Sequence, residues 1–187
     1  MSGTTTANKV VTQTVNNGEF NQVTLSQTVS VTLTWNADKW DVKHETKYQV
    51  QNDNPININK PGYTYDKVSA SVNNKDFNDF KIKDDGIIII TADAWNSLKD
   101  KDTINYTVNY KLDLTNVTLP DGFNKDDLKE QPDGSWTGTT TNNKVVTQTV
   151  NNGESNQVIL SQTVSVTLTW NQKGQRWDVL TRLNTKF

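Results

Sequence analysis

The sequence predicts a mainly β protein made of antiparallel sandwich-type modules with one short helix. Apolar residues alternate strictly with Thr and Ser over long stretches, which is the period of half-buried strands. Asn-Gly and Asp-Gly pairs separate such stretches and favour hairpin loops. In addition, residues 3–35 return as residues 138–170 with three differences. Self-similarity at a fixed spacing is typical of repeat architectures.

The duplicated segment is named copy 1 at Gly3–Trp35 and copy 2 at Gly138–Trp170, an offset of 135 residues. The three differences replace Ala7, Phe20 and Thr24 of copy 1 by Asn142, Ser155 and Ile159 of copy 2. The offset matches the size of one ordinary domain and predicts a modular array. Because the second repeat is incomplete, we expect a chain excised from a longer exported precursor.

The duplication divides the chain into four predicted segments. Residues 1–51 carry copy 1, and residues 52–115 form a unique β module with the short helix, here called the middle module. Residues 116–137 form a connector rich in Pro, Gly and charge, with one helical turn expected at Lys125–Lys129. Residues 138–187 carry copy 2 in an incomplete repeat. Both copies offer the same apolar face, so the sequence leaves open which of them completes the core of the middle module.

Each copy is predicted to form a hairpin. Val23–Trp35 alternates apolar residues with hydroxyls, so one face is buried and the other is a ladder of Thr and Ser. Gln27 interrupts the apolar face and predicts a bulge or break. Lys9–Val15 is expected to pair with this strand across the Asn16–Gly18 loop, and Asn36–Lys39 predicts a second hairpin turn.

The middle module is predicted to consist of further strands and a short helix. Val68–Val72 alternates as a strand, and the run Ile87–Ile90 predicts a central strand buried on both faces. Thr91 is the expected N-cap of a brief helix over Ala92–Leu98. Ile104–Leu114 completes the module as its last strand. Together these elements favour an immunoglobulin-like or β-grasp-like module.

Composition excludes several classes of partner. The formal charge of −2 and the pI of about 5.4 argue against nucleic acid, which is met by clustered Lys and Arg. The absence of cysteine excludes disulfides and thiolate metal sites. No apolar run reaches the ~20 residues of a membrane span, and the first residues do not form a signal peptide. We expect an extracellular protein without membrane insertion.

Catalysis is not supported by any motif. His44 is the only histidine, and no nucleophile or phosphate-binding motif is present. The acidic pairs are next to turn or charged residues and are expected in solvated loops: Asp84/Asp85, Asp100/Asp102 and Asp126/Asp127. These aspartates make calcium a possible ligand, although no calcium-loop pattern is present and no ligand is assigned. We predict that the protein is not an enzyme and has no cofactor other than possible calcium.

Tryptophans are the candidate ligand-binding residues. An exposed indole stacks on the apolar face of a sugar, while neighbouring Asn and Asp bond its hydroxyls. Trp40, Trp136 and Trp177 follow polar turns or lie in the connector, so they are the predicted glycan-binding residues. The remaining three are expected to pack in cores: Trp35, Trp95 and Trp170.

The duplicated strands carry a family resemblance. The Thr-Gln-Thr-Val segments at Thr12–Val15 and Thr147–Val150, the Thr/Val alternation ending in Trp35, and the cysteine-free, Thr- and Asn-rich composition resemble repeats of large Gram-positive cell-wall adhesins. This group includes the mucus-binding repeats of lactic acid bacteria. The resemblance implies a stalk or adhesive module displayed on the bacterial surface.

Two functions therefore remain open. The first is a non-enzymatic surface repeat that acts as an adhesin or stalk, with host glycans or glycoproteins and neighbouring repeats of the same protein as partners. The second is a structural component of a surface layer, a fibre or a phage tail that assembles without binding a ligand. In that case Lys144–Trp170 would complete a neighbour's sheet by edge addition.

Overall fold

A computed structural model describes all 187 residues, Met1–Phe187. The chain forms two compact units, Met1–Lys111 (unit 1) and Leu112–Phe187 (unit 2). The predicted fold class is confirmed, because the chain is mainly β with several antiparallel sheets and very little helix. No helix has the length and apolarity needed to cross a membrane.

Unit 1 is built on a six-stranded sheet with the order β3-β2-β1-β8-β4-β5. A two-stranded sheet, β6–β7, and the helix α1 contribute to the same core. The elements are β1 (Ser2–Val15), β2 (Phe20–Asn36), β3 (Lys39–Gln51), β4 (Tyr63–Val72), β5 (Lys75–Asp76), β6 (Phe80–Ile82), β7 (Ile88–Ile90), α1 (Ala94–Ser97) and β8 (Thr103–Leu112).

Copy 1 folds as the predicted hairpin, but without a bulge. β1 and β2 pair in unbroken antiparallel register from Ser2 opposite Thr32 to Thr14 opposite Phe20. The predicted bulge at Gln27 is wrong. Gln27 stays in register opposite Ala7, and its side-chain amide donates to the Tyr48 hydroxyl at 3.2 Å, so the continuous strand accommodates a polar residue.

The core of unit 1 answers which copy completes the middle module. Copy 1 supplies Val11, Val15, Val23 and Leu25, all buried. The middle module supplies the other members of the same cluster: Ile56, Ile58, Ala70, Val72, Phe77, Ile88, Ile90, Ala94, Trp95, Leu98, Ile104, Tyr106 and Val108. Copy 1 and the middle module therefore share one core.

Two predicted elements of the middle module are corrected. The isoleucine run does not form a central strand buried on both faces. β7 pairs along its length with β6, only an isolated bridge at Ile87 and a bond from the Ile88 N–H to the Ile56 carbonyl lie on its other side, and Ile89 is exposed. The helix is shorter than predicted, because it spans a single turn. Its N-cap is Asp93 rather than Thr91. The expected burial of Trp95 on its inner side is confirmed.

The pairing of β1 with β8 is parallel, from Thr12 opposite Thr103 to Val15 opposite Tyr106. At this junction Gln13 is fully buried, and its amide nitrogen donates to the Tyr106 hydroxyl at 2.7 Å. Burial raises the pKa of Tyr106 well above its ordinary value, so the hydroxyl stays neutral. A polar contact therefore joins copy 1 to the last strand of the middle module inside the core.

Unit 2 has a four-stranded sheet with the order β12-β11-β10-β9. The connector contributes a 3₁₀ turn at Lys125–Asp127, within the predicted helical turn. The strands are β9 (Lys129–Glu130), β10 (Trp136–Thr149), β11 (Ser155–Asn171) and β12 (Arg176–Lys186). Copy 2 forms β10 and β11 in the same register as copy 1 forms β1 and β2.

Substitution of Gln13 by Ala is predicted to destabilise unit 1 by about 2 kcal/mol, because it removes a buried hydrogen bond and leaves a cavity. Gln148, the equivalent residue of copy 2, is exposed, so Q148A is the matched control and is expected to change stability by less than about 0.5 kcal/mol. Urea denaturation of both variants measures the difference. Equal losses in the two variants would contradict the assigned role of Gln13.

Candidate functional site

The candidate functional site is the inner face of the duplicated hairpin. Directly paired residues of neighbouring strands share a face of the sheet. Gln27 in copy 1 and Gln162 in copy 2 divide this face into a turn half, next to the hairpin loop, and an open half at the other end. The turn half of copy 1 presents Lys9, Val11, Gln13, Val15, Asn21, Val23 and Leu25; the open half presents Gly3, Thr5, Ala7, Val29, Val31, Leu33 and Trp35.

In copy 1 the turn half holds the helix of the middle module. The Lys9 ammonium donates to the backbone carbonyls of Trp95 at 2.5 Å and Leu98 at 2.8 Å, and lies 4.1 Å from the centre of the Trp95 ring. These carbonyls are at the C-terminal end of α1, where a cation is favourable. Lys9 therefore fixes the helix against the hairpin.

Asparagines join copy 1 to the middle module at the other end of the turn half. The Asn16 side chain donates to the Val108 carbonyl at 3.2 Å and accepts from the Val108 N–H at 3.1 Å. The Asn21 amide donates to the Asn54 carbonyl at 2.7 Å and to the Asn52 side chain at 3.0 Å. Polar side chains and apolar side chains thus bind the same partner.

In copy 2 the same residues have no such cover. Val15 is 4 % exposed in copy 1, whereas its equivalent Val150 is 53 % exposed. Gln148 and Asn156 are also exposed, and the other apolar members are only half-buried: Val146, Val158 and Leu160. Identical sequence therefore has two environments, and the difference is the presence of the middle module.

The open half shows the opposite arrangement, because in copy 2 the connector covers it. A Cβ atom on Gly138 would lie 2.6 Å from the Asp127 carbonyl oxygen, so the connector backbone rests on this glycine. Thr140 donates to the Asp127 carboxylate and accepts from the backbone N–H of Asn124. The side chain of Asn142 donates to the Gly122 carbonyl at 2.7 Å. Beneath this cover Val164, Val166 and Leu168 are fully buried.

One difference between the copies is explained by this cover. Asn142 of copy 2 bonds the connector, and Ala7 occupies the equivalent position in copy 1. The open half of copy 1 has no such cover, because nothing lies within 4 Å of a Cβ atom built on Gly3. Nothing in the structure explains the exchange of exposed Phe20 for exposed Ser155.

The open half of copy 1 exposes an aromatic pair. Trp35 and Trp40 are directly paired across the β2–β3 turn and are in edge contact, with ring centres 5.2 Å apart. They are 55 % and 53 % exposed, so the predicted core position of Trp35 is wrong. Its burial requires a cover over the open half, and copy 1 has none. In copy 2 the equivalent pair, Trp170 and Trp177, has ring centres 5.3 Å apart and Trp177 is buried.

The structure does not bring the three predicted glycan-binding tryptophans into equivalent positions. Trp40 offers an exposed ring, Trp136 is half-buried at the start of β10, and Trp177 is buried. An exposed ring face is needed to stack on a sugar. The accessible aromatic surface is therefore the Trp35–Trp40 pair.

Among the predicted acidic pairs, Asp85 and Asp102 accept hydrogen bonds within turns, whereas Asp100 accepts from the Val10 N–H of β1. Asp85 accepts from the backbone N–H of Ile87 and pairs with Lys83, which lowers the pKa of its carboxyl, chiefly through the backbone hydrogen bond. Asp102 accepts from the Lys99 N–H at 2.8 Å. His44 is exposed on β3. No group of three or more His, Cys, Asp or Glu side chains is arranged to hold a metal ion.

Comparison with known proteins gives no match to a protein-family model, a curated protein or a solved structure. The assignment of the turn half and the open half therefore rests on the geometry of this chain.

Substitution of Gly138 by Ala is predicted to destabilise unit 2 by about 1 to 3 kcal/mol, since its Cβ would overlap the connector backbone. The matched control is G3A, where a Cβ meets no atom within 4 Å, so its stability is expected to stay within about 0.5 kcal/mol of the parent. Denaturation followed by tryptophan fluorescence measures both. If G138A is as stable as G3A, the connector does not rest on the open half.

Proposed function

We propose that the chain is a non-enzymatic structural repeat of a bacterial cell-surface protein, and that it acts as a stalk. One observation carries this proposal: the same hairpin accepts the connector on its open half in copy 2 and the middle module on its turn half in copy 1. One hairpin sequence that packs against the following segment in copy 1 and against the preceding segment in copy 2 is suited to connecting successive modules.

The energetics of the two halves favour a structural role. Val11 and Val23 are buried only where the middle module is present, and Val164 and Val166 only where the connector is present. Full burial of a Val or Leu side chain stabilises by about 1.5 to 3 kcal/mol. Each half therefore gains substantial stability when it receives its cover, which suits a protein assembled from serial repeats.

Unit 1 also has a strand arrangement suited to tension. β1 and β8 are parallel neighbours, so pulling the chain at Met1 and Lys111 draws them in opposite directions along their length. Their ladder includes the bonds from the Thr12 N–H to the Asp102 carbonyl at 2.9 Å and from the Asn16 N–H to the Tyr106 carbonyl at 3.1 Å. Force in this geometry loads the bonds together rather than one after another.

The surface location is supported by the resemblance to Gram-positive adhesin repeats and by the composition. A cysteine-free chain gains no stability from disulfides, and here the packed β sheets supply the stability instead. The outer face of the hairpin is a ladder of hydroxyls, including the contacts Thr4–Ser30 and Thr6–Thr28 in copy 1. Such a face is compatible with continuous exposure to water.

Single-molecule pulling of the full chain is expected to give two unfolding steps. At about 3.6 Å per residue, unit 1 releases roughly 400 Å and unit 2 roughly 270 Å. Q13A is expected to lower the force of the longer step, because Gln13 joins β1 to Tyr106 of β8, while Q148A leaves that force unchanged. Gradual extension without a distinct long step would contradict the stalk.

Glycan binding is the second candidate, favoured by the exposed Trp35–Trp40 pair. A stalk is expected to show no specific retention on arrays of mucins and defined glycans, because the equivalent pair of copy 2 is a packing element with Trp177 buried. The comparison uses the parent chain and a W35A/W40A double variant whose fold is checked by circular dichroism. Specific binding that the folded double variant loses would establish an adhesin instead.

A further inference from the structure

The turn half of copy 2 combines an uncovered apolar face with an unpaired strand edge. Val150 is exposed beside Gln148 and Asn156, and these side chains line an open depression. One edge of β10 pairs with β11. Along its other edge, β10 pairs only at Trp136 and Thr137, where β9 lies beside it. In copy 1 the corresponding edge is occupied by β8.

We propose that this surface is the docking site for a second β module with the sequence of residues 52–111, the part of the middle module that lies in unit 1. The inference rests on the proposed structural role and adds the identity of the partner. Copy 2 completes the core of the second module as copy 1 completes the core of the first.

Sequence identity across the binding face supports this partner. The turn half of copy 2 presents the same side chains at the same register positions: Lys144, Val146, Gln148, Val150, Asn156, Val158 and Leu160. In copy 1 these positions provide the ammonium for the end of α1, the amide for Tyr106, and four buried apolar side chains. A module with the sequence of residues 52–111 therefore meets the same seven side chains on copy 2.

The register of docking is given by the parallel pairing in unit 1. Thr103 lies opposite Thr12 and Tyr106 lies opposite Val15. With an offset of 135 residues, the strand equivalent to β8 is expected to lie opposite Thr147–Val150. Its backbone satisfies the edge groups of β10, which is the mode of binding by strand addition.

The polar members of the face exclude a non-specific apolar occupant. Lys144, Gln148 and Asn156 lie among the apolar side chains, and all three are exposed. Covering them with lipid or an unrelated apolar surface would bury unpaired polar groups at a high cost. In copy 1 the middle module pairs the equivalent ammonium and both amide nitrogens through carbonyls and a tyrosine hydroxyl, and only the amide oxygens of Gln13 and Asn21 stay unpaired.

Cysteine accessibility tests the proposal, since the chain has no cysteine of its own. The test compares the full chain with an extended chain. In the extended chain a second copy of residues 36–112 follows Trp170 in place of residues 171–187, just as Asn36 follows Trp35 in copy 1. V150C is expected to react rapidly with a thiol reagent in the full chain and at least about tenfold more slowly in the extended chain. V15C is the matched control and is expected to be protected in both, because Val15 is 4 % exposed.

A second variant separates docking from failure to fold. Q148A is expected to lower the unfolding midpoint of the added module in the extended chain while leaving the full chain unchanged. Undiminished reactivity of V150C in the extended chain, or an added segment that stays unfolded, would overturn the proposal. Protection of V150C in the full chain that grows with protein concentration would also overturn it, because complete chains would then occupy the face. The stalk is tested separately by pulling and glycan binding.

Discussion

The structure depends on an apolar strand face that no single cover can bury. β2 and β11 each contain 17 residues, and their alternation places apolar side chains along the inner face, interrupted by one glutamine and by the asparagine near the hairpin loop. A strand of this length extends over roughly 55 Å, which exceeds what one small module covers. Burial of the whole face therefore needs two covers, while β3 and β12 extend the sheets at their edges. The connector covers the open half in unit 2, and the middle module covers the turn half in unit 1.

Local sequence predicted the parts of this arrangement that depend on periodicity. The alternation of Val23–Trp35, the Asn16–Gly18 loop and the strand Ile104–Leu114 all formed close to the expected positions, because side-chain period and turn residues act within a few residues. Gly18 has φ of +93°, as the hairpin loop requires. These signals survive in an isolated sequence because they need no distant partner.

The remaining features were not predictable because they depend on residues far apart in the chain. Lys9 and Gln13 are polar residues within a strand, which sequence analysis assigns to solvent, yet they bind Trp95, Leu98 and Tyr106 in a partly or fully buried setting. The exposure of Trp35 was also missed, since the pattern gives an apolar face but does not say whether anything covers it. The repeat itself contained the missing signal: identical side chains that lie in two different surroundings.

The positions where the two copies differ fit a hairpin that serves two partners. The seven residues of the turn half are the same in both copies, although six of them are buried in copy 1 and none is buried in copy 2. Two of the three exchanged residues, at Phe20 and Thr24, lie outside the inner face of the turn half, and the third, at Ala7, lies in the open half opposite Gln27. The exchange at Ala7 accompanies a new contact with the connector through Asn142. A face that must accept the middle module has little freedom to change, because each substitution would remove a core side chain or a hydrogen bond from that module. The uncovered face of copy 2 therefore retains every group that its partner in copy 1 uses, and this retention is what identifies its occupant.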